Sequence, residues 1–135
     1  MRVRAGFFRA FKGADTLLLD GDAEGLAQLS QELSGLAMER ANQVTLQSFP
    51  FVELHHGVQV SLVRGPRDVG VSLRGAREFT WLLSTAGWSD VVELLEPLIK
   101  SGPGHQYLDQ LARVTVMASR EEYDGAWWAM VERER

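Results

Sequence analysis

Two stretches of the chain carry apolar residues at three-residue and four-residue intervals, the spacing of an amphipathic helix. In residues 22–40 this stripe consists of Leu26, Leu29, Leu33, Leu36 and Ala37. A second stripe follows Ser89, whose side chain suits a helix N-cap, and consists of Val91, Leu94, Leu95 and Leu98. Pro97 cannot donate to the carbonyl of Glu93, so we predict a kink or a non-α last turn before the helix ends near residues 101–104.

The remaining apolar runs are short and rich in Val, Leu and aromatic residues, as is typical of strands. They cover residues 3–11, 16–20, 44–46, 51–56, 58–63, 69–73, 78–84 and 113–118. Parallel neighbours need a crossover of about a dozen residues, and the connections in the middle third are shorter, which indicates antiparallel hairpins. We therefore predict a single α+β domain over residues 1–135, with one antiparallel meander sheet of five or six strands and two main helices on one face.

Composition narrows the function classes. The chain of 135 residues is 45% hydrophobic and 24% charged, ordinary values for one globular domain. A net charge of −4 disfavours a nucleic-acid partner, which would need a basic face. The lack of cysteine excludes disulfides and thiolate chemistry. Residues 1–4 lack the apolar stretch of a signal peptide, and no run approaches membrane-spanning length, so we expect a cytoplasmic protein without membrane contact.

The segment TLLLDGDAEGL, residues 16–26, places Asp20 and Asp22 directly after an apolar run. Haloacid-dehalogenase-type phosphatases open on this Asp-x-Asp spacing, with the first Asp as nucleophile and the second as general acid. Here Glu24 stands where that family has Thr or Val, and no later acid pair is placed to complete a magnesium site. We favour a structural role, in which acidic side chains at a helix start accept hydrogen bonds from unpaired amides.

The histidines are the other candidates for site chemistry. His55 and His56 are adjacent, so on a strand they would point to opposite faces and could not easily ligate one ion. They precede Gly57 and are expected as turn and surface histidines, and His105 has no metal-ligand spacing to either. No nucleophile elbow or phosphate-binding glycine loop occurs. We therefore expect no metal, no cofactor and no catalytic residue.

The tail GAWWAMVERER is predicted to form a short final helix capped by Asp124, which would place Trp127, Trp128 and Val131 on one side. Two tryptophans carry more apolar area than a short helix can hide alone, so they must contact the domain core or another chain. The charged end, from Glu132 to Arg135, is expected to stay in water. We predict that the tail folds back on its own domain, with a weak homodimer as the alternative to a monomer.

Three stretches together resemble a known group of proteins. They are GDAEGL at 21–26, WSDVVELLEPL at 88–98, and GHQYLD at 104–109 followed by VMASREEY at 116–123. This ordering, over roughly residues 15–123, is similar to small bacterial immunity proteins of polymorphic toxin and contact-dependent inhibition systems. The resemblance implies a compact cytoplasmic domain that binds a toxin and blocks its active surface. The added tail, residues 124–135, departs from the pattern.

The leading hypothesis is thus a non-catalytic immunity protein that neutralises a cognate bacterial toxin by direct binding. Its candidate partner-binding residues are Glu121, Glu122, Trp127 and Trp128. A net-acidic surface would suit a basic toxin. Two alternatives remain open: a small phosphatase-like enzyme that uses Asp20 and Asp22, and a ligand-binding or scaffold subunit.

Overall fold

The computed structural model describes residues 1–133; Glu134 and Arg135, the last part of the predicted charged end, lie outside the described residues. The strands and helices are β1 Val3–Phe11, β2 Ala14–Gly21, α1 Ala23–Ala37, β3 Gln43–Thr45, β4 Val52–Leu54, β5 Gln59–Arg64, β6 Gly70–Leu73, β7 Glu78–Leu83, α2 Thr85–Ser101, β8 Gly104–Asp109, β9 Thr115–Arg120 and α3 Gly125–Arg133. None of the described helices is long and apolar enough to cross a membrane.

The strands form two mixed sheets, so the α+β class is confirmed and the single antiparallel meander is wrong. One sheet has five strands in the order β4-β1-β2-β9-β8, and the other has four in the order β3-β5-β7-β6. Three neighbouring pairs are parallel: β1 with β4, β2 with β9, and β5 with β7.

The meander prediction failed because consecutive strands are not always neighbours. β5 and β7 pair in parallel from Gln59↔Glu78 to Arg64↔Leu83, while β6, which lies between them in sequence, pairs on the far side of β7. The connection over residues 65–77 is long enough for the crossover that parallel strands require, with a strand in place of the usual helix. The short loop after β6 does join an antiparallel pair, β6 with β7, whereas the short loop before β6 joins two strands that are not neighbours.

Helix α1 forms where the sequence predicts it. Its buried stripe contains Leu26, Leu29, Leu33 and Leu36, each at most 1% exposed. Asp22 is the N-cap, and its carboxylate accepts from the backbone N–H of Gly25 at 2.7 Å. Gly25 is required as well, because a Cβ there would collide with the backbone of Arg2. The GDAEGL stretch thus packs the start of α1 against β1.

Helix α2 begins at Thr85, four residues before the predicted cap. Ser84 is the N-cap, and its hydroxyl accepts from the N–H of Gly87 at 3.1 Å. Gly87 is buried in the first turn of the helix. The prediction for Pro97 was a kink or a non-α last turn; the segment stays α-helical to Ser101, so the second of these alternatives is wrong. Arg120 donates to the carbonyls of Leu98 and Ile99 and so satisfies acceptors near the helix end.

The main core joins side chains from both sheets and from α1 and α2. Strand β2 is buried on both faces: Leu17 and Leu19 belong to this core, whereas Leu18 points the other way. On that opposite face, Leu18 packs with Phe8, Met117 and Trp128 in a second, smaller cluster. Helix α3 therefore covers the side of the five-stranded sheet that α1 and α2 leave open.

Candidate functional site

Three of the candidate residues, Asp20, Asp22 and Glu121, lie where two parallel strands end. Glu122, Trp127 and Trp128 do not line this place. β2 and β9 run side by side and finish together at the Gly21↔Arg120 pair. Side chains from both strand ends, from the following turn and from β1 line an open cleft of about 470 Å3. We call it the strand-end cleft; its charged and phenolic residues are Arg2, Arg4, Asp20, Asp22, Glu121, Tyr123 and Asp124.

Asp20 is held at the floor of this cleft. Its carboxylate is 4% exposed and accepts from the Ser119 hydroxyl at 2.6 Å and from the backbone N–H of Glu122 at 3.1 Å. Burial raises the pKa of Asp20 above its ordinary value, and the two hydrogen bonds offset only part of that rise. The Trp128 indole also acts to lower this pKa, although its N–H does not reach hydrogen-bond geometry. Asp20 therefore ties β2 to β9 and to the turn that follows.

Asp22 lies in the same cleft, but its pKa is shifted in the opposite direction from that of Asp20. Burial alone would raise its pKa, but hydrogen bonds from the backbone N–H groups of Gly25 and Arg2 outweigh burial and lower the pKa below its ordinary value. A general acid needs a carboxyl that stays protonated near neutral pH. The fold thus brings the two aspartates together, and it uses Asp22 as a helix cap.

Among the described residues, none of the cleft's cations forms an ion pair with Glu121 or Asp124; the N-terminal ammonium group pairs with Asp22 at 3.3 Å, and both arginines pair with Glu53. The Nε atoms of Arg2 and Arg4 lie 3.9 Å and 3.4 Å from the Glu53 carboxylate on β4. Glu121 and Asp124 are exposed at the rim and form no ion pair within residues 1–133. The rim therefore carries negative charge that the described part of the chain does not neutralise.

Glu121, Glu122 and Tyr123 form the turn between β9 and α3. Glu121 has a φ of 53°, in the left-handed region that few non-glycine residues adopt, and its N–H donates to the Gly21 carbonyl at 3.1 Å. The Glu122 carboxylate lies 3.2 Å from Nδ1 of His105. Burial, followed by the charges of Glu122 and Asp20, raises the pKa of Tyr123, so its phenol remains a neutral donor at the edge of the cleft.

The two tryptophans have different environments. Trp128 is 1% exposed and packs against Phe8 and His55, with ring centroids 5.7 Å and 4.5 Å away. Trp127 is half-buried and lies over Tyr123 at 4.5 Å. Asp124 caps this helix through the N–H of Trp127 at 2.9 Å, as the sequence predicts. The tail folds back on its own domain, and a partner could reach Trp127 but not Trp128.

His55 and His56 are buried, each 8% exposed, so the expectation of surface histidines is wrong. The reason is a contact that sequence reasoning missed. The Glu132 carboxylate lies 3.0 Å from Nδ1 of His55 and accepts from the backbone N–H of His56 at 3.1 Å. Glu132 was expected to stay in water, and nothing in the local sequence relates it to residues more than 70 positions away. His105 lies elsewhere, on Glu122.

No group of three or more acidic or histidine side chains within residues 1–133 is arranged to hold a metal ion. Comparison with protein-family models, with curated proteins and with solved structures finds no match to this chain. The conclusions about function therefore rest on the strand-end cleft and on the residues around it.

Proposed function

We propose that this chain is a non-catalytic binding protein, an immunity protein that acts in the cytoplasm and neutralises a cognate bacterial toxin by direct binding. The observation that carries the proposal is the acidic rim of the strand-end cleft. Glu121 and Asp124 are exposed there and have no cationic partner within residues 1–133, while Arg2 and Arg4 are directed towards Glu53. A surface of this kind supports binding to a partner that supplies the positive charge.

The chemistry of the rim favours a basic partner. Opposite charges across an interface accelerate association and favour one partner over others, and they lose strength as salt is added. The net charge of −4 acts in the same direction over longer distances. The half-buried Trp127 lies beside the rim through its contact with Tyr123 and adds an aromatic surface of the type enriched at binding hot spots.

The buried and capped state of the two aspartates also supports binding over catalysis. Asp20 is 4% exposed and accepts two hydrogen bonds from β9 and the following turn. Asp22 caps α1 and has a lowered pKa, which is unfavourable for a general acid. Both carboxylates therefore have a structural role: Asp20 joins β2 to β9, and Asp22 caps α1.

The test is a titration of the purified chain with the toxin domain encoded beside its gene, paired with a growth assay in cells that express that toxin. The informative variant is Glu121→Gln combined with Asp124→Asn, because Asn retains the cap on Trp127. The matched control is Asp90→Asn with Glu93→Gln, which removes the same charge from the exposed side of α2.

We expect protection of the cells by the wild-type chain. The rim variant should bind about tenfold or more weakly, mainly through slower association at low salt, and the control should bind like wild type. Absence of both binding and protection would contradict the proposal. Equal weakening in the two variants would show that the rim is not the contact surface.

A second candidate function has one specific observation in its favour: Asp20 and Asp22 line the same cleft as Arg2 and Arg4, and guanidinium groups can bind a phosphate. This phosphatase-like reading is tested with magnesium and a generic phosphomonoester. Turnover that disappears in Asp20→Asn but survives in Glu93→Gln would replace the binding proposal with an enzymatic one.

A further inference from the structure

Helix α3 covers the outer face of the five-stranded sheet, the face opposite α1 and α2. Phe8, Leu18 and Met117 are buried on that face; Trp128 of α3 is buried among them, and Trp127 and Val131 pack at the edge of the cluster. The Trp128 ring sits directly above Gly6, where an added Cβ would lie 2.9 Å from its Cζ3 atom. This small cluster is separate from the main core, so the outer face depends on one helix of nine residues.

Every hydrogen bond between the helix and the β4–β5 turn in the described residues involves a side chain. Within residues 1–133 no backbone hydrogen bond joins α3 to either sheet; the N–H of Trp128 donates to Asp124, at the start of its own helix. The polar contacts come from the β4–β5 turn. Glu132 reaches His55 and the backbone of His56, and Nε2 of His56 donates to the carbonyl of Val131 at 3.0 Å.

This attachment also contains every buried side-chain nitrogen that lacks a hydrogen bond within the described residues: Nε2 of His55, Nδ1 of His56 and Nε1 of Trp128. A carbonyl only accepts, so Nε2 of His56 must carry the proton, which leaves Nδ1 with an unused lone pair. Nε2 of His55 still lies 3.5 Å from the Glu53 carboxylate, and the Trp128 indole interacts with Asp20. Polar atoms that lack good hydrogen-bond geometry weaken the docked state relative to an open state in which water satisfies them. His56 also has a φ of 59°, a left-handed conformation that turns its backbone N–H towards Glu132.

We propose that α3 is a detachable strap, which opens as a unit from the outer face of the sheet while both sheets and the main core stay folded. Contacts of Glu132 with the His55-His56 turn hold the strap closed. Opening exposes Phe8, Leu18 and Met117, and it moves Trp127 away from Tyr123 at the edge of the strand-end cleft. The strap thus links the state of the outer face to the shape of the cleft, and this inference does not depend on the proposed function.

The test is residue-resolved hydrogen exchange on the full chain under native conditions, because segments that open locally exchange faster than the core. We compare the amides of residues 129–133, which are in the later turns of the strap, with those of Leu18 and Met117 in the sheet. We expect the strap amides to exchange together and at least about 100-fold faster than the sheet amides.

Two variants weaken the strap by different routes. Glu132→Gln removes the charge that contacts both histidines, and Gly6→Val inserts a side chain against the Trp128 ring. Each should accelerate strap exchange about tenfold and leave sheet exchange unchanged. Glu93→Gln, an equivalent change on the exposed side of α2, is the control and should alter neither.

Strap amides that exchange only as slowly as the sheet amides would overturn the proposal, because α3 would then leave only on global unfolding. Equal acceleration of strap and sheet by Glu132→Gln would overturn it too. If Gly6→Val prevents folding, the wild-type comparison and Glu132→Gln still decide the question.

Discussion

Replacing Asp22 with alanine tests the structural role of the strand-end carboxylates most directly. The carboxylate accepts from the N–H of Gly25 at 2.7 Å and from the N–H of Arg2 at 3.1 Å, so Asp22→Ala leaves both donors without this acceptor. Removal of an N-cap acceptor costs about 1 kcal/mol, within a range of about 0.5–2 kcal/mol. Loss of the hydrogen bond to the N–H of Arg2 adds to this cost. Because the Asp22 side chain is 35% exposed, the total loss in the free energy of unfolding is limited to about 1–2 kcal/mol.

For a domain of this size such a loss lowers the melting temperature by about 3–7 °C. The pKa of Asp22 is lower in the folded state than in the unfolded chain, so the carboxylate stabilises the fold above the unfolded value of 3.8, and this stabilisation is lost as the pH falls through the folded pKa. The difference between wild type and Asp22→Ala is therefore largest at pH 7 and decreases in acid as the charge is lost, while the protonated carboxyl keeps a carbonyl acceptor for the cap.

Thermal unfolding followed by circular dichroism at pH 7 and at several acidic pH values measures both effects. Asp22→Asn is the matched control, because its side-chain carbonyl keeps the cap and should lie within about 0.5 kcal/mol of wild type. An alanine variant as stable as wild type at pH 7, or a difference that grows in acid, would refute the capping argument.

Three further predictions concern the core, the floor of the cleft and the tail. Leu33→Asp places a charge at a position that is 0% exposed and should unfold the protein or abolish soluble expression; an unchanged melting temperature would show that the buried face of α1 is wrong. Asp20→Asn should leave the melting temperature at pH 7 unchanged or higher. The pKa of Asp20 is raised in the folded state, so its protonated form stabilises the wild-type fold below the unfolded value of 3.8. This stabilisation is lost as the pH rises through the folded pKa. The stability of Asp20→Asn relative to wild type should therefore increase with rising pH. Deleting residues 125–135 uncovers Phe8, Leu18 and Met117 and should lower the melting temperature by several degrees without changing the oligomeric state; a shift from dimer to monomer in light scattering, with stability unchanged, would show that the tryptophans form an interface instead.

The sequence correctly predicted those elements whose stabilising residues lie close together along the chain. The leucine stripe of α1 and the Asp22 and Asp124 caps depend on residues three to four positions apart, so they could be read directly. Strand β8, by contrast, was missed. It is an edge strand whose sequence, GHQYLD, is exposed or half-buried over its first four residues and gives no apolar alternation.

The contacts that define the cleft and the strap are long-range, and this is why the sequence alone did not reveal them. Ser119 reaches Asp20 across 99 positions, and Glu132 reaches His55 across 77. Each residue looks like an ordinary surface polar group in its own neighbourhood. The partner of Ser119 becomes apparent only once β2 and β9 are known to be parallel neighbours, and that of Glu132 only once α3 is placed against the β4–β5 turn.

The position of β2 between β1 and β9 has a consequence for synthesis on the ribosome. β1 and β2 can pair as a hairpin as soon as they emerge, but the other edge of β2, with Leu17, Leu18 and Leu19, has no neighbour until residues 115–120 are made. An unpaired apolar strand edge is prone to join other chains. A ribosome that stalls before Thr115 therefore leaves an aggregation-prone nascent chain, because a strand that is made late protects one that is made early.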